Sequence, residues 1–165
     1  MKLTKKNNRK IKKSRKIKKG VLNGGGSKLH IEPKGDIKKK LLIVIPYRDR
    51  EDQLYTISHY LHNFLKDYDF EIIVIEQDDN NKFNRGKIKN VGYLIGKEKH
   101  LFDYVCFHDV DMLPLEADYS FVSTPTVIFK YISKTNYKPH YDENMGGVIL
   151  FQPNHFEKIN GFYNK

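Results

Sequence analysis

Leu41-Leu42-Ile43-Val44-Ile45 runs into Pro46-Tyr47-Arg48-Asp49-Arg50, and the change of character at Pro46 decides how the chain is read. Five apolar residues in a row, three of them β-branched, suit a short strand buried on both faces, which Pro46 is expected to stop. Residues 51–66 then place Leu54, Ile57, Leu61, Phe64 and Leu65 at helical spacing. Phe70 to Ile75 is a second buried strand. Asn84 to Lys97 predicts a helix with Ile88, Val91, Leu94 and Ile95 on its apolar face. Asp103 to Phe107 is a third strand, running into His108-Asp109-Val110-Asp111. Apolar strands alternating with amphipathic helices predict an α/β domain with a mostly parallel central sheet.

The rest of the chain is less regular. Residues 116–143 hold Pro125, Pro139 and several tyrosines, and read as loop. Gly146-Gly147-Val148-Ile149-Leu150-Phe151 predicts a further strand entered through two glycines. Pro153 suits the first turn of a short helix over Asn154 to Ile159. No internal repeat is visible.

Charge divides the chain in two. Residues 1–40 hold sixteen Lys or Arg against two acids, Glu32 and Asp36, while residues 41–165 are net acidic. The overall charge of +10 therefore belongs to the tail and does not make the whole chain a nucleic-acid binder. Residues 1–28, ending in Gly24-Gly25-Gly26-Ser27, cannot bury enough surface to offset chain entropy and read as disordered. Such a segment either attaches to nucleic acid or another anionic surface, or is a solvated tail. No aromatic residue interleaves its charges as in a stacking RNA binder. With the linker 29–40 it forms a Lys-rich region over 1–40, and the domain is expected over 41–165. One cysteine, Cys106, excludes an internal disulfide and fits a reducing compartment. No apolar run approaches the roughly 20 residues of a membrane span. No signal peptide is recognisable, so a soluble, cytoplasmic or otherwise intracellular protein is expected.

Two polar runs follow predicted strands directly, and a third, Gln77 to Arg85, follows the second strand. Ligands in α/β sheets bind beyond the carboxyl ends of the strands. Asp109 and Asp111, two apart in an extended segment, would point to the same side and offer hard oxygen donors to Mg²⁺ or Mn²⁺. A pair of exposed acids in a turn is the plainer alternative. His108 reads better as a packed, hydrogen-bonded side chain than as a metal ligand. Arg48 and Arg50 suit phosphate, with the Tyr47 ring able to stack on a base. The same residues would also fit a helix start capped by Asp49. Phe83-Asn84-Arg85-Gly86 repeats the aromatic and arginine pairing at a helix start, where backbone N–H groups favour anions. Gly146-Gly147 would let a ligand approach the backbone closely, or simply make a turn.

Together these motifs resemble the β-1,4-galactosyltransferase family, glycosyltransferase family 7, from about Leu41 to Lys165. The matching pieces are Ile45 to Arg50, Phe83 to Gly86 with Asn90-Val91-Gly92, Phe107 to Asp111 with Leu113-Pro114, Gly146-Gly147-Val148, and Asn160-Gly161-Phe162. His108 before Asp109-Val110-Asp111 is similar to the xylosylprotein galactosyltransferase branch. The resemblance implies a GT-A fold. It also implies Mn²⁺-dependent (or Mg²⁺-dependent) transfer of a hexose, galactose or N-acetylgalactosamine, from a UDP-sugar to a glycan acceptor with inversion. By position, Pro46, Tyr47, Arg48 and Arg50 would line the uridine and phosphate pocket, and Phe83 and Arg85 would complete it. Asp109 would meet the ribose side, with Val110 beside it. Asp111 would bind the metal, and Gly147 would lie near the donor sugar.

The chain also departs from the family pattern. The family continues past Asn-Gly-Phe into a Trp-Gly-x-Gly-x-Glu-Asp stretch that supplies the catalytic base, and then to a metal-binding His. This sequence holds no Trp and stops at Lys165. The base is thus expected beyond Lys165 in a truncated domain. The alternative is a catalytically incomplete UDP-sugar-binding or interaction protein with a basic anchoring tail. Asn144 stands where a Tyr that helps select the donor sugar is usual, and the family's Golgi membrane anchor has no counterpart.

Overall fold

The computed structural model describes residues 35–114, 117–129 and 147–164. Residues 1–34, and with them the basic segment, lie outside the described residues, as do Pro139, Asn144 and Gly146. The described elements are β1 (Leu41–Tyr47), α1 (Glu51–Phe64), β2 (Phe70–Glu76), α2 (Arg85–Glu98), β3 (Tyr104–His108), β4 (Thr126–Phe129), β5 (Val148–Phe151) and α3 (Pro153–Lys158). They build one sheet in the order β2-β1-β3-β5-β4.

β1 pairs in parallel with β2 and with β3. β5 runs antiparallel to both β3 and β4. The sheet is therefore mixed, which corrects the expectation of a mostly parallel one. A buried apolar run such as Val148 to Phe151 marks a strand covered on both faces but carries no information on its direction. β4 corrects a second expectation, since Thr126 to Phe129 falls in the stretch read as loop. Its β-branched residues follow Pro125 directly, and so short a run is easily hidden by its flanks.

Every residue of β1 is buried. Leu41, Ile43, Ile45 and Tyr47 pack with Ile57, Leu61 and Leu65, on the face that α1 covers. Leu42 and Val44 pack with Ile88 and Tyr93 of α2 and with Phe156 of α3 on the other face. The uninterrupted hydrophobicity of β1 is thus two interleaved period-2 patterns, one for each helical layer. Pro46 does not stop the strand, which continues to Tyr47. Tyr47 O accepts from Gln77 N, at the β2 side, so by alternation the nitrogen of Pro46 faces the β3 side. The β3 ladder has already ended there, at Val44, and no hydrogen bond is forfeited.

The packing face of α2 differs from the expected one. Ile88, Lys89, Gly92, Tyr93 and Gly96 are buried, whereas Leu94 is 61% exposed. The face is set by the two glycines rather than by the largest apolar residues. A Cβ on Gly92 would collide with Val44 Cγ1, and one on Gly96 with Leu42 Cδ2. Their absence brings the helix axis close to β1 and turns the 85–89–92–96 line of α2 inward. Two residues at the amino end of that line carry positive charge.

Candidate functional site

The carboxyl ends of β1 and β3 lie side by side, and the chain turns polar at both. Between them opens a cavity of about 560 Å³ lined by Pro46, Arg48, Arg50, Phe83, Arg85, Asp109, Val110 and Asp111. Three stretches distant in sequence thus converge at the sheet end where α/β folds bind ligands. Tyr47 is not among the lining residues. It sits on the opposite side of β1 from Pro46 and is 8% exposed within the α1-facing core, so its expected place in the pocket is corrected. Gly147 also lies outside the lining. It is buried at the mouth of β5 with φ near 90°, and its carbonyl accepts from Asp109 N at 3.0 Å. The glycine fastens the Asp109 backbone rather than the cavity wall.

Asp49 does not cap α1. Arg50 occupies the N-cap position without a side-chain cap, and Asp49 has φ of 52°. This left-handed residue turns the chain sharply after β1. Arg48 folds over the loop that follows β2. Its Nη1 donates to Asn81 O at 2.7 Å and Asp79 O at 3.4 Å, and its guanidinium lies 5.2 Å from the Phe83 ring centre. Arg48 therefore shapes the wall that presents Phe83. Phe83 itself is 41% exposed, a flat apolar surface open to the cavity. At the start of α2, Asn84 Oδ1 accepts from Lys87 N at 2.9 Å and caps the helix.

β3 ends at His108, and Asp109 to Met112 forms a turn in which Met112 N donates to Asp109 O. The two aspartates reach the cavity through this turn and not through strand alternation, which corrects the sequence argument while leaving both carboxylates at the pocket. Asp111 is half exposed, with Oδ2 2.9 Å from Arg50 Nη1. Asp109 is largely buried, with Oδ2 2.8 Å from Arg85 Nη1 and Oδ1 2.9 Å from Lys89 Nζ. The Lys89 ammonium is the charge partner of the buried Oδ1.

His108 is fully buried. Its Nδ1 donates to Asp109 O at 2.9 Å, because a carbonyl can only accept, and Tyr119 OH then donates to Nε2 at 2.9 Å. Burial pushes its pKa down to about 4 from 6.5, against the opposing pull of the Asp109 carbonyl and carboxylate. A neutral imidazole with both nitrogens engaged is a structural strut for the turn, as the sequence reading favoured.

Lys89 is the residue that sequence reasoning missed. It is 4% exposed, and burial holds its pKa below the usual lysine value while Asp109 pulls it back up. The signal was present in the spacing. Arg85 and Lys89 are four apart on one helix, and Gly92 and Gly96 continue the same line inward.

Comparison with known proteins settles the family. A family model for the N-terminal region of glycosyl transferase group 7 matches residues 1–123, and one for the N-terminal domain of galactosyltransferase matches residues 127–165. The chain belongs to glycosyltransferase family 7. Among its curated family 7 relatives, rat β-1,4-galactosyltransferase 4 is 36% identical over 131 residues, covering 76% of this chain and 38% of that protein. The xylosylprotein 4-β-galactosyltransferase of Caenorhabditis elegans is 31% identical over 130 residues, covering 76% and 45%. The chain thus spans less than half the length of these relatives. A solved Drosophila β-1,4-galactosyltransferase 7, a mutant in complex with manganese, UDP-Gal and xylobiose, superposes with a TM-score of 0.69 at 34% identity. That match covers 76% of this chain and 54% of the other. The catalytic domain of the same Drosophila enzyme with xylobiose gives 0.66 at 32% identity.

Proposed function

We propose that this family 7 chain carries the donor-binding part of a GT-A-type, metal-dependent hexosyltransferase, which transfers galactose or a related hexose from a UDP-sugar to a glycan acceptor with inversion. One observation carries the reading. Arg50, Phe83, Arg85, Asp109 and Asp111, from three separate stretches, meet around a single cavity at the carboxyl ends of β1 and β3. The likeness to a fly enzyme solved with manganese, UDP-Gal and xylobiose supports it.

The residues divide the work by chemistry. Phe83 offers its open face to the uracil ring. Arg50 and Arg85 are half-exposed guanidiniums at the cavity and suit the diphosphate, whose oxygens they can grip in bidentate fashion. Asp109, held at the wall, is an acceptor for a ribose hydroxyl. Among the described residues no group of three or more His, Cys, Asp or Glu is arranged as a complete metal site. The donor set nonetheless fits Mn²⁺ or Mg²⁺. Asp111 is a hard oxygen donor facing the cavity, and such ions characteristically take one or two carboxylates and complete their shell with phosphate oxygens. When bound, the ion would neutralise charge on the leaving diphosphate. Asp111 would hold it, and Arg50, relieved of Asp111, would be free for phosphate.

Isothermal titration of UDP with and without Mn²⁺ tests the assignment. Metal-dependent UDP binding is expected, weakened by D111N. A folded chain that binds UDP neither with nor without Mn²⁺ would refute the site.

A further inference from the structure

Asp109 is held by two cations that are not equivalent. Arg85 is 55% exposed and lines the cavity, whereas the Lys89 side chain is 6% exposed and does not. Both come from one face of α2, one turn apart, and each takes a different oxygen of the same carboxylate. The phenyl ring of Phe162 lies 5.4 Å from Lys89 Nζ and helps close this corner against water. A lysine is a costly residue to bury, and Asp109 is the only carboxylate within ion-pair distance of it among the described residues.

This asymmetry has a consequence when an anion enters the cavity. A diphosphate competes with Asp109 for the Arg85 guanidinium. Without a second counter-ion, releasing Arg85 would strand a largely buried carboxylate, and the ligand would have to offset that penalty. We infer that Lys89 is a positioning residue that keeps the Asp109 carboxylate compensated from behind the pocket wall, and so frees Arg85 to bind the phosphates of a nucleoside diphosphate. The inference rests on the donor-binding reading above and adds to it a division of labour between two cations of α2. Lys89 touches no ligand. It acts through Asp109 and Arg85.

The test compares UDP with uridine, which shares the base and ribose but lacks phosphate. In wild-type protein with Mn²⁺, titration calorimetry measures UDP, and saturation-transfer NMR measures uridine. K89M keeps an unbranched apolar stem one atom shorter than that of the lysine and removes the charge. It is expected to weaken UDP about tenfold, the scale of one charge-assisted contact, and to leave uridine unchanged. K89Q, which retains a donor for Asp109, is the second variant if K89M does not fold. An unchanged UDP affinity in a folded variant overturns the inference. So does an equal loss for UDP and uridine, which would make Lys89 a packing residue, and so does failure of both variants to fold. If the wild-type protein binds neither ligand, the donor-binding reading itself has failed, and that is visible before any variant is made.

Discussion

His108 shows how far one residue can be read from sequence and where reading stops. Its position before Asp109-Val110-Asp111 was legible, and so was a packed rather than ligating role. Its partner Tyr119 was not, because that residue lies in a stretch with no periodicity to place it. The pairing has a pH consequence. The folded state holds His108 neutral down to about pH 4, while the unfolded chain takes up a proton near pH 6.5, the ordinary histidine value. Below pH 6.5 the unfolded state therefore binds more protons, and stability falls as the pH drops, levelling off below about 4. The loss is of the order of a few kcal/mol. Urea denaturation from pH 7 to pH 4 should show this slope, and H108N should flatten it. At the pocket, D111N is expected to remove most of the Mn²⁺-dependent gain in UDP affinity while leaving the thermal midpoint nearly unchanged. Its lost partner is a half-exposed ion pair, worth about 1 kcal/mol or less. D109N should weaken UDP with or without metal, because its carboxylate organises Arg85 and Lys89 together.

Among the elements, α2 gives the clearest lesson. Its existence, its start at Asn84 and its length were readable from the cap and the spacing of apolar residues. Its rotation was not. Counting Leu94 as core and the glycines as neutral turned the wheel by part of a turn and hid Lys89. A glycine's contribution to packing is the volume that it leaves out, which no hydrophobicity scale registers. Substitution at Gly92 separates propensity from packing. Alanine favours a helix by about 1 kcal/mol over glycine, but its methyl would strike Val44. G92A is expected to destabilise by about 1–3 kcal/mol in chemical denaturation, the usual scale of core overpacking. It should also weaken UDP by moving Arg85 and Lys89 together. L94K, on the exposed face, should change stability by less than about 0.5 kcal/mol. β1, β2, β3 and β5 were legible for a related reason, since burial on both faces leaves continuous apolar runs. Their directions were not, and that is why β4, the antiparallel course of β5 and so the mixed sheet emerged only in three dimensions.

For the molecule as a whole, charge and pocket are separable. The excess of Lys and Arg lies in residues 1–40, and the cavity is built entirely from residues beyond Tyr47 and Pro46 itself. Deletion of residues 1–34 should abolish salt-sensitive retention on a polyanion column and leave the UDP isotherm unchanged. The parts of the cavity are joined late in the chain. Asn90 Oδ1 accepts from Phe162 N and Asn90 Nδ2 donates to Phe162 O, both at 2.9 Å, so one side chain pairs with a distant peptide as a neighbouring strand would. Gly161, at φ of 74°, leaves room for that amide, which a Cβ would crowd. During synthesis on the ribosome, β1, α2 and the Asp109 turn all emerge before Phe162 does. The helix that bears Arg85 and Lys89 must then wait for a clasp made some seventy residues later, and the nascent chain holds every pocket residue before it can hold the pocket's shape.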